Sequence, residues 1–154
     1  MNIYTVSFFG NRRVEFGADI ENRLDMVLYD LITQREYIDF LIGRDGDFDL
    51  FVSSAIRRTI RKYAYGNTHF TLVLPYMKAE YHDNEKNYLE YYDEVEICSE
   101  SAEAYPKSAI QIRNRNIVDR SDLVVCCIQY KNGGAYRTMQ YARQQGKKIL
   151  NLAD

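Results

Sequence analysis

A regular alternation of short apolar segments and amphipathic helical segments runs the length of the 154-residue sequence and limits the folds open to it. Runs rich in β-branched and aromatic residues are typical of strands, and apolar residues three and four positions apart are typical of helices. Strands that alternate with helices pair in parallel, with helices on both faces of the sheet. We therefore predict an α/β fold, a Rossmann-like three-layer sandwich with a mostly parallel central sheet, as one domain over residues 1–154. Strands are predicted at residues 3–9, 37–42, 69–74, 94–98, 123–128 and 147–152, and helices at residues 17–34, 48–65, 84–92, 109–118 and 135–145.

Charge and hydropathy indicate whether a nucleic acid or a membrane is an expected partner. The formal net charge is −2, without the basic excess typical of proteins that bind nucleic acid or acidic membranes. No apolar run approaches the roughly 20 residues that span a bilayer. The sequence enters a strand pattern directly after Met1, without the basic and apolar regions of a signal peptide. We expect a cytoplasmic protein with no nucleic-acid partner and no membrane association.

The residues that usually hold metals are few and scattered. His69 and His82 are the only histidines, and neither has a cysteine or histidine partner at zinc spacing. Cys126 and Cys127 are neighbours on an apolar strand, so their side chains point to opposite faces and are not expected to pair. We therefore expect no metal, no cofactor and buried, reduced thiols.

Tyrosine is unusually frequent, at 14 residues, and tryptophan is absent. Six tyrosines lie between Tyr76 and Tyr105. They are interpreted as an amphipathic cover for the sheet or a subunit interface, or as rings of which one or two stack on a ligand base.

In open parallel sheets, ligands bind beyond the carboxyl ends of the strands. We call the turn that follows the end of a strand a corner. The first corner, after the strand at residues 3–9, has a glycine and an arginine, and the second, after the strand at residues 37–42, is glycine-rich and acidic. In the second corner, Asp47 is a candidate helix cap, and the other aspartates are candidates for a ribose contact. The candidate binding residues of these corners are Ser7, Gly10, Asn11, Arg12, Gly43, Arg44, Asp45 and Asp49.

Two further segments carry candidate residues. The helix around Arg115 and Asn116 is interpreted equally well as a surface salt-bridge network or as a ligand contact, with Arg113, Asn116 and Arg120 expected on one side of it. The last corner is a diglycine that opens a helix, where unpaired N–H groups suit an anion. Its candidates are Gly133, Gly134, Ala135, Arg137 and Thr138. Neither a Walker motif nor a G-x-G-x-x-G fingerprint is present.

In their order along the chain, these corners resemble the SLOG superfamily, and within it the small bacterial and phage branch known as DUF1273 or YpsA-like. The branch has a strand ending in Phe followed by Gly-His-Arg, a glycine-rich turn with Asp, a strand closed by Leu-Pro, an Arg-Asn-x-x-Met-Val-Asp-x-Ser-Asp segment, and Gly-Gly-Thr before a helix with Tyr-Ala and a Gly-Lys. The matching residues are Phe9-Gly10-Asn11-Arg12, residues 43–49, Leu74-Pro75, residues 115–122 with one gap fewer, Gly133-Gly134-Ala135, Tyr141-Ala142 and Gly146-Lys147.

The resemblance implies a Rossmann-like fold that binds nucleotides or molecules derived from them. Some members of the superfamily hydrolyse nucleoside monophosphates at the N-glycosidic bond, and others sense nucleotide signals, including those of TIR-domain immune enzymes in phage defence. The hydrolase branch carries Pro-Gly-Gly-x-Gly-Thr and then a glutamate. This chain has Ala135 in place of the threonine and no third glycine, and neither Thr138 nor Gln140 supplies a carboxylate.

Three hypotheses follow for function. The leading one is a homo-oligomer that binds a nucleotide-derived signal such as an ADP-ribose-type molecule, as a sensor or a sequestering protein, without efficient turnover. In it, Gly10, Gly43, Gly133 and Gly134 provide backbone access, Arg12, Arg44 and Arg137 hold phosphate, and Asp45 or Asp49 holds ribose. The alternative is an N-glycosidase or phosphoribohydrolase that uses Asp45, Asp49 or Asp119. The third is a ligand-free interaction module that uses residues 76–105.

Overall fold

A computed structural model describes all of residues 1–154 and has six strands and six helices. The strands are β1 (Ile3–Gly10), β2 (Tyr37–Ile42), β3 (Thr68–Leu74), β4 (Glu94–Ile97), β5 (Leu123–Cys127) and β6 (Lys148–Asn151). The helices are α1 (Ala18–Gln34), α2 (Asp47–Tyr63), α3 (Ala79–Asp83), α4 (Glu85–Tyr91), α5 (Pro106–Arg120) and α6 (Gly133–Gln144). The predicted alternation is confirmed. The helix predicted at residues 84–92 corresponds to α4, and a further short helix that was not predicted, α3, precedes it and meets it at Asn84.

All six strands form one sheet in the order β4-β3-β2-β1-β5-β6, and every neighbouring pair is parallel. The α/β sandwich predicted with a mostly parallel sheet is confirmed, and the sheet is parallel throughout. From β1 the chain proceeds outward through β2, β3 and β4, and then returns to the other side of β1 as β5. The order thus reverses between β1 and β5, where the connections leave on opposite faces of the sheet and open a crevice.

The two faces of the sheet have separate apolar cores. One core packs α1 and α2 against the sheet through residues such as Leu28 and Ile56, and the other packs α5 and α6 through Ile117 and Met139. Strand β5 contributes alternately to both, because successive side chains point to opposite faces. Cys126 belongs to one core and Cys127 to the other, and both are buried free thiols. No helix of the chain is long and apolar enough to cross a membrane.

The tyrosine-rich segment, residues 76–105, covers the outer end of the core that contains α1 and α2. Tyr81, Tyr88 and Tyr92 are 8, 8 and 2% exposed and their rings contact one another. Tyr92 also contacts Phe70 on β3, with ring centroids 5.1 Å apart. These three rings cover the sheet, whereas Tyr105 is 84% exposed.

The end of β1 has no room for a side chain. A Cβ atom at Gly10 would lie 2.3 Å from Cγ of Phe48, a ring buried at the start of α2. We expect Gly10→Ala to lower the free energy of unfolding by about 2 kcal/mol, because the added methyl group overpacks this contact. The measurement is urea unfolding followed by circular dichroism.

The matched control is Gly17→Ala, since a Cβ there meets nothing within 4 Å. Gly17 is the N-cap of α1, so its substitution should cost less than about 1 kcal/mol. Equal losses in the two variants would contradict the packing at Gly10.

Candidate functional site

A cavity of about 400 Å³ opens at the carboxyl edge of the sheet, at the point where the strand order reverses. Its walls come from the β1–α1 loop, the β2–α2 loop, α5 and the first turn of α6. The cavity therefore lies where the topology of an open parallel sheet places ligands. The predicted residues that line it are Gly10, Arg12, Gly43, Asp45, Asp49, Gly133, Gly134, Ala135 and Arg137.

The inner wall of the cavity is built on Arg113, whose side chain is only 2% exposed. Its NH2 group donates to the carboxylate of Asp45 and forms an ion pair with it. Its NH1 group donates to the carbonyl of Val73 at 2.9 Å, and Nε donates to Oδ1 of Asn114 at 2.9 Å. The arginine therefore connects α5 to the end of β3 and to the β2–α2 loop.

Asp45 is bound by two cations. One oxygen of its carboxylate pairs with Arg113, and the other accepts from Nζ of Lys78 at 3.4 Å. Burial by itself would raise the pKa of Asp45, but the charges and hydrogen bonds of Arg113 and Lys78 outweigh burial and lower it. Asp45 is therefore an ionised acceptor inside the cavity at every physiological pH.

Asp49 lies one turn away and has a different environment. Its Oδ2 accepts the backbone N–H of Asp45 at 2.8 Å, and it forms no hydrogen bond or ion pair with a cationic side chain. Desolvation raises the pKa of Asp49 to about 6; the hydrogen bond from the Asp45 N–H and the charges of Arg113 and Lys78 oppose this rise, and the Asp45 carboxylate adds to it. The N-cap of α2 is Gly46 with no side-chain cap, so the predicted capping role of Asp47 is wrong.

A series of hydrogen bonds connects the inner wall of the cavity to the diglycine Gly133-Gly134. Nδ2 of Asn114 donates to Oγ1 of Thr138 at 3.1 Å, and that hydroxyl donates to the carbonyl of Gly134 at 2.9 Å. Nε2 of Gln111 donates to the same carbonyl at 3.1 Å. Thr138 is buried and supports the first turn of α6 from behind, without lining the cavity.

Three cations surround the opening. Arg12, Lys107 and Arg137 line the cavity from three different elements, and each is exposed. The structure gives none of them an intramolecular ion pair or side-chain hydrogen bond, in contrast to Arg113 and Lys78. Unpaired cations at the mouth of a cavity are available to an anionic ligand.

The glycines of the corners have different physical roles. At Gly43 a Cβ would lie 3.1 Å from NH1 of Arg113, and at Gly134 it would lie 2.9 Å from Nε2 of Gln111. At Gly10, Gly43 and Gly134, therefore, side chains of the protein occupy the space that backbone access for a ligand would need. Gly133 differs, because its φ of +86° requires glycine and the space beside it is open.

Four of the remaining predicted residues lie away from the cavity. Asn11 is buried and its Oδ1 accepts the N–H groups of Gln129 and Tyr130, so it joins the β1–α1 and β5–α6 loops. Ser7 is also buried and accepts from the Ser121 hydroxyl at 2.8 Å. Arg115 lies 5.2 Å from the ring of Tyr141, and Asn116 donates to Glu100.

Arg44 also lies away from the cavity, where it donates to the Tyr92 hydroxyl at 3.2 Å and pairs with Glu80 at 3.6 Å. Their spacing of three and four residues places Arg113, Asn116 and Arg120 on one side of α5, as expected, but the burial of the side chains differs along that side. Arg113 faces the core, whereas Arg120 makes two hydrogen bonds to Glu96 at the surface. Arg113 turns inward because it has the Asp45 carboxylate to neutralise.

Sequence reasoning missed Arg113, Asn114, Gln111 and Lys107. The signal for two of them was the Arg-Asn-x-x-Met-Val-Asp-x-Ser-Asp pattern, which fits residues 113–122 without any gap and so places its Arg-Asn pair at Arg113-Asn114. The fit that begins at Arg115 requires a gap and names two surface residues. No group of three or more His, Cys, Asp or Glu side chains is arranged to hold a metal ion.

Comparison with known proteins shows a shared fold. No family model and no curated protein sequence matches the chain. Among solved structures, DNA processing protein A (DprA) of Helicobacter pylori, described for its single-stranded DNA binding mode, superposes with a TM-score of 0.61 at 17% identity, over 95% of this chain and 63% of that chain. DprA of Streptococcus pneumoniae gives 0.66 at 14% identity, over 96% and 49%. A structural-genomics target, TM1055, gives 0.55 at 15% identity, over 98% and 78%.

The chain thus spans less than two thirds of one DprA chain and about half of the other. The likeness corrects one expectation. A nucleic-acid partner was excluded on a net charge of −2, and that exclusion is wrong, because a protein with this fold binds single-stranded DNA. A net charge averages over the whole surface and says little about one edge of a sheet.

Removing Arg113 should be costly. We expect Arg113→Met to lower the free energy of unfolding by about 3 kcal/mol, because it leaves Asp45 without its main counter-charge and Val73 and Asn114 without a donor. Arg115→Met on the outer side of the same helix is the control and should cost less than about 1 kcal/mol. Equal losses in urea unfolding would contradict the structural role of the pair.

Asp49 should make stability depend on pH. Its pKa is raised from 3.8 to about 6, so the favourable contribution of the protonated carboxyl is complete below pH 4 and is lost as pH rises through 6. We expect Asp49→Asn to be more stable than the natural protein at pH 7.5, by on the order of 2 kcal/mol. The difference should shrink as pH falls and disappear below about pH 4.

The measurement is thermal and urea unfolding at several pH values. Asp47→Asn changes an exposed residue outside the cavity and should shift stability by less than about 0.5 kcal/mol. A constant difference between Asp49→Asn and the natural protein over this range of pH would contradict the raised pKa.

Proposed function

We propose that the chain binds a nucleotide or a nucleotide-derived molecule, such as an ADP-ribose-type ligand, in the cavity at the carboxyl edge. The proposal includes membership of the SLOG superfamily, in its DUF1273 or YpsA-like branch, and a role in sensing or sequestering the ligand. The observation that carries it is the combination, in one cavity, of three unpaired cations, an uncapped helix start and an ionised carboxylate.

The phosphate end of the ligand is assigned to the start of α6. The N-cap residue Asn132 makes no side-chain hydrogen bond to the helix, so the first backbone N–H groups are free. The positive end of the helix dipole favours an anion there. Arg12, Lys107 and Arg137 add three positive charges at the same opening.

The ribose end is assigned to Asp45. An ionised carboxylate accepts hydrogen bonds and donates none, which suits the hydroxyl groups of a ribose. Arg113 and Lys78 keep Asp45 ionised and fix its orientation. A volume of about 400 Å³ is within the range of about 300–1,000 Å³ common for small-molecule sites.

A phosphoribohydrolase is the second candidate, and one observation favours it. Asp49 and Asp45 are neighbouring carboxyl groups whose pKa values are shifted in opposite directions, as in enzymes that pair a general acid with a carboxylate. Against efficient turnover, Gln140 is exposed, lies outside the cavity and carries no charge.

The likeness to DprA adds single-stranded DNA to the ligands that need testing. A terminal nucleotide of such a strand presents the same phosphate and sugar as a free nucleotide. Short oligodeoxythymidylate, with and without a 5′-phosphate, therefore belongs in the same panel as AMP and ADP-ribose.

The test is isothermal titration calorimetry with this panel. We expect AMP or ADP-ribose to bind, and Arg12→Ala to weaken binding about tenfold, because it removes one charge-assisted contact to phosphate. The matched control is Arg13→Ala, which removes the neighbouring exposed arginine that does not line the cavity.

Absence of binding by folded protein to every nucleotide would contradict the proposal. Chromatography of the same samples detects the hydrolase, through release of base from AMP that Asp49→Asn abolishes. If the oligonucleotide binds and neither free nucleotide does, the ligand is the end of a nucleic-acid strand and not a free nucleotide.

A further inference from the structure

The charges that line the cavity are unevenly paired. Asp45 lies in the β2–α2 loop and Asp49 in the first turn of α2, and the two are joined by the hydrogen bond from the Asp45 N–H to Oδ2 of Asp49 at 2.8 Å. Asp45 has a cation on each oxygen, from Arg113 and from Lys78. Asp49 has only a peptide N–H. An anion that enters this cavity therefore meets one neutralised carboxylate and one that is not neutralised.

We propose that an anionic ligand binds in this cavity together with one proton, which the Asp49 carboxylate takes up from solvent. The inference rests on the proposed function and deepens it, since it states how the site accommodates negative charge. The ligand–protein complex then contains a neutral Asp49 carboxyl group and an ionised Asp45.

Electrostatics decides which carboxylate is protonated. A phosphate in the cavity repels both carboxylates, and protonating either one relieves the repulsion. Protonation of Asp45 would break its ion pair with the buried Arg113 and leave that guanidinium without its counter-ion. Protonation of Asp49 removes a charge that has no cationic partner, and Oδ2 can still accept the N–H of Asp45.

The cavity holds no other group suited to this role. The remaining charged groups around Asp49 are arginine and lysine side chains, and no histidine or cysteine lines the cavity. The pKa of Asp49 is already raised to about 6, so a further rise of about 1.5, within the effect of a neighbouring like charge, leaves the carboxyl about half protonated at pH 7.5. The cations around Asp49 are Arg12 from the β1–α1 loop, Lys78 from the β3–α3 loop, Lys107 and Arg113 from α5, and Arg137 from α6.

The consequence is a site that binds more tightly as pH falls. Between the pKa of free Asp49 and that of the bound state, uptake of one proton makes the dissociation constant rise up to about tenfold per pH unit. Below pH 5 Asp49 is already protonated in the free protein, and this dependence should cease.

Proton uptake is measured by titrating ADP-ribose and AMP at pH 7.5 in Tris and in PIPES, whose ionisation enthalpies differ. The slope of the observed binding enthalpy against the buffer enthalpy gives the number of protons taken up. The natural protein, Asp49→Asn and Asp47→Asn are compared with the same ligand, so that protons lost or gained by the ligand itself cancel. Asparagine keeps an acceptor for the Asp45 N–H, and unfolding curves confirm that each variant is folded.

We expect the natural protein and Asp47→Asn to take up between a few tenths of a proton and one proton more than Asp49→Asn. Asp49→Asn should also bind at least about threefold more tightly at pH 7.5, because the uncompensated carboxylate is gone. For ADP-ribose, the uptake by the natural protein should vanish at pH 4.5, a result that needs no variant.

Equal proton uptake in the natural protein and Asp49→Asn, with binding intact, would overturn this inference and leave the proposed function standing. No binding of either ligand to any of the three folded proteins would overturn both.

Discussion

The buried ion pair between Arg113 and Asp45 is the interaction on which the site depends. A guanidinium that is 2% exposed is tolerated only with a counter-charge and hydrogen-bond acceptors, and Asp45, Val73 and Asn114 provide them. Through these contacts α5, β3 and the β2–α2 loop are held in one arrangement. Gly43 is part of the same constraint, since a side chain there would occupy the space of the guanidinium.

From this pair the polarity of the cavity follows. Asp45 is ionised because Arg113 and Lys78 neutralise it, and Asn114 continues the network through Thr138 to the diglycine. The positive charge of Arg113 is satisfied within the protein, so the charges offered to a ligand are those of the exposed cations at the opening. In the proposed complex, the inner wall orients the acceptor for a sugar, and the rim supplies the cations for a phosphate.

Asp49 shows how one turn of chain produces two chemically different carboxylates. Asp45 lies just before α2 and Asp49 in its first turn, and both line the cavity. The pKa of one is lowered by cations, and that of the other is raised by desolvation. The positions of the two aspartates in the sequence do not predict this difference, because the cations that pair with Asp45 come from α5 and from the loop after β3. A neutral Asp49 in the complex is compatible with ligand binding alone and with an acid role in glycosidic cleavage.

The alternation of apolar runs with amphipathic helices determined the α/β class, the six strands and the edge of the sheet on which the site lies, because parallel strands need crossovers and their carboxyl ends meet on one side. Nine of the residues that it singled out as binding candidates line the cavity. Only the tertiary structure decided which polar side chains turn inward. Arg113 and Arg120 lie on the same side of α5, yet one is buried against Asp45 and the other pairs with Glu96 at the surface. Burial of a charge depends on a partner distant in sequence, here 68 residues away, and periodicity along the chain does not carry that information.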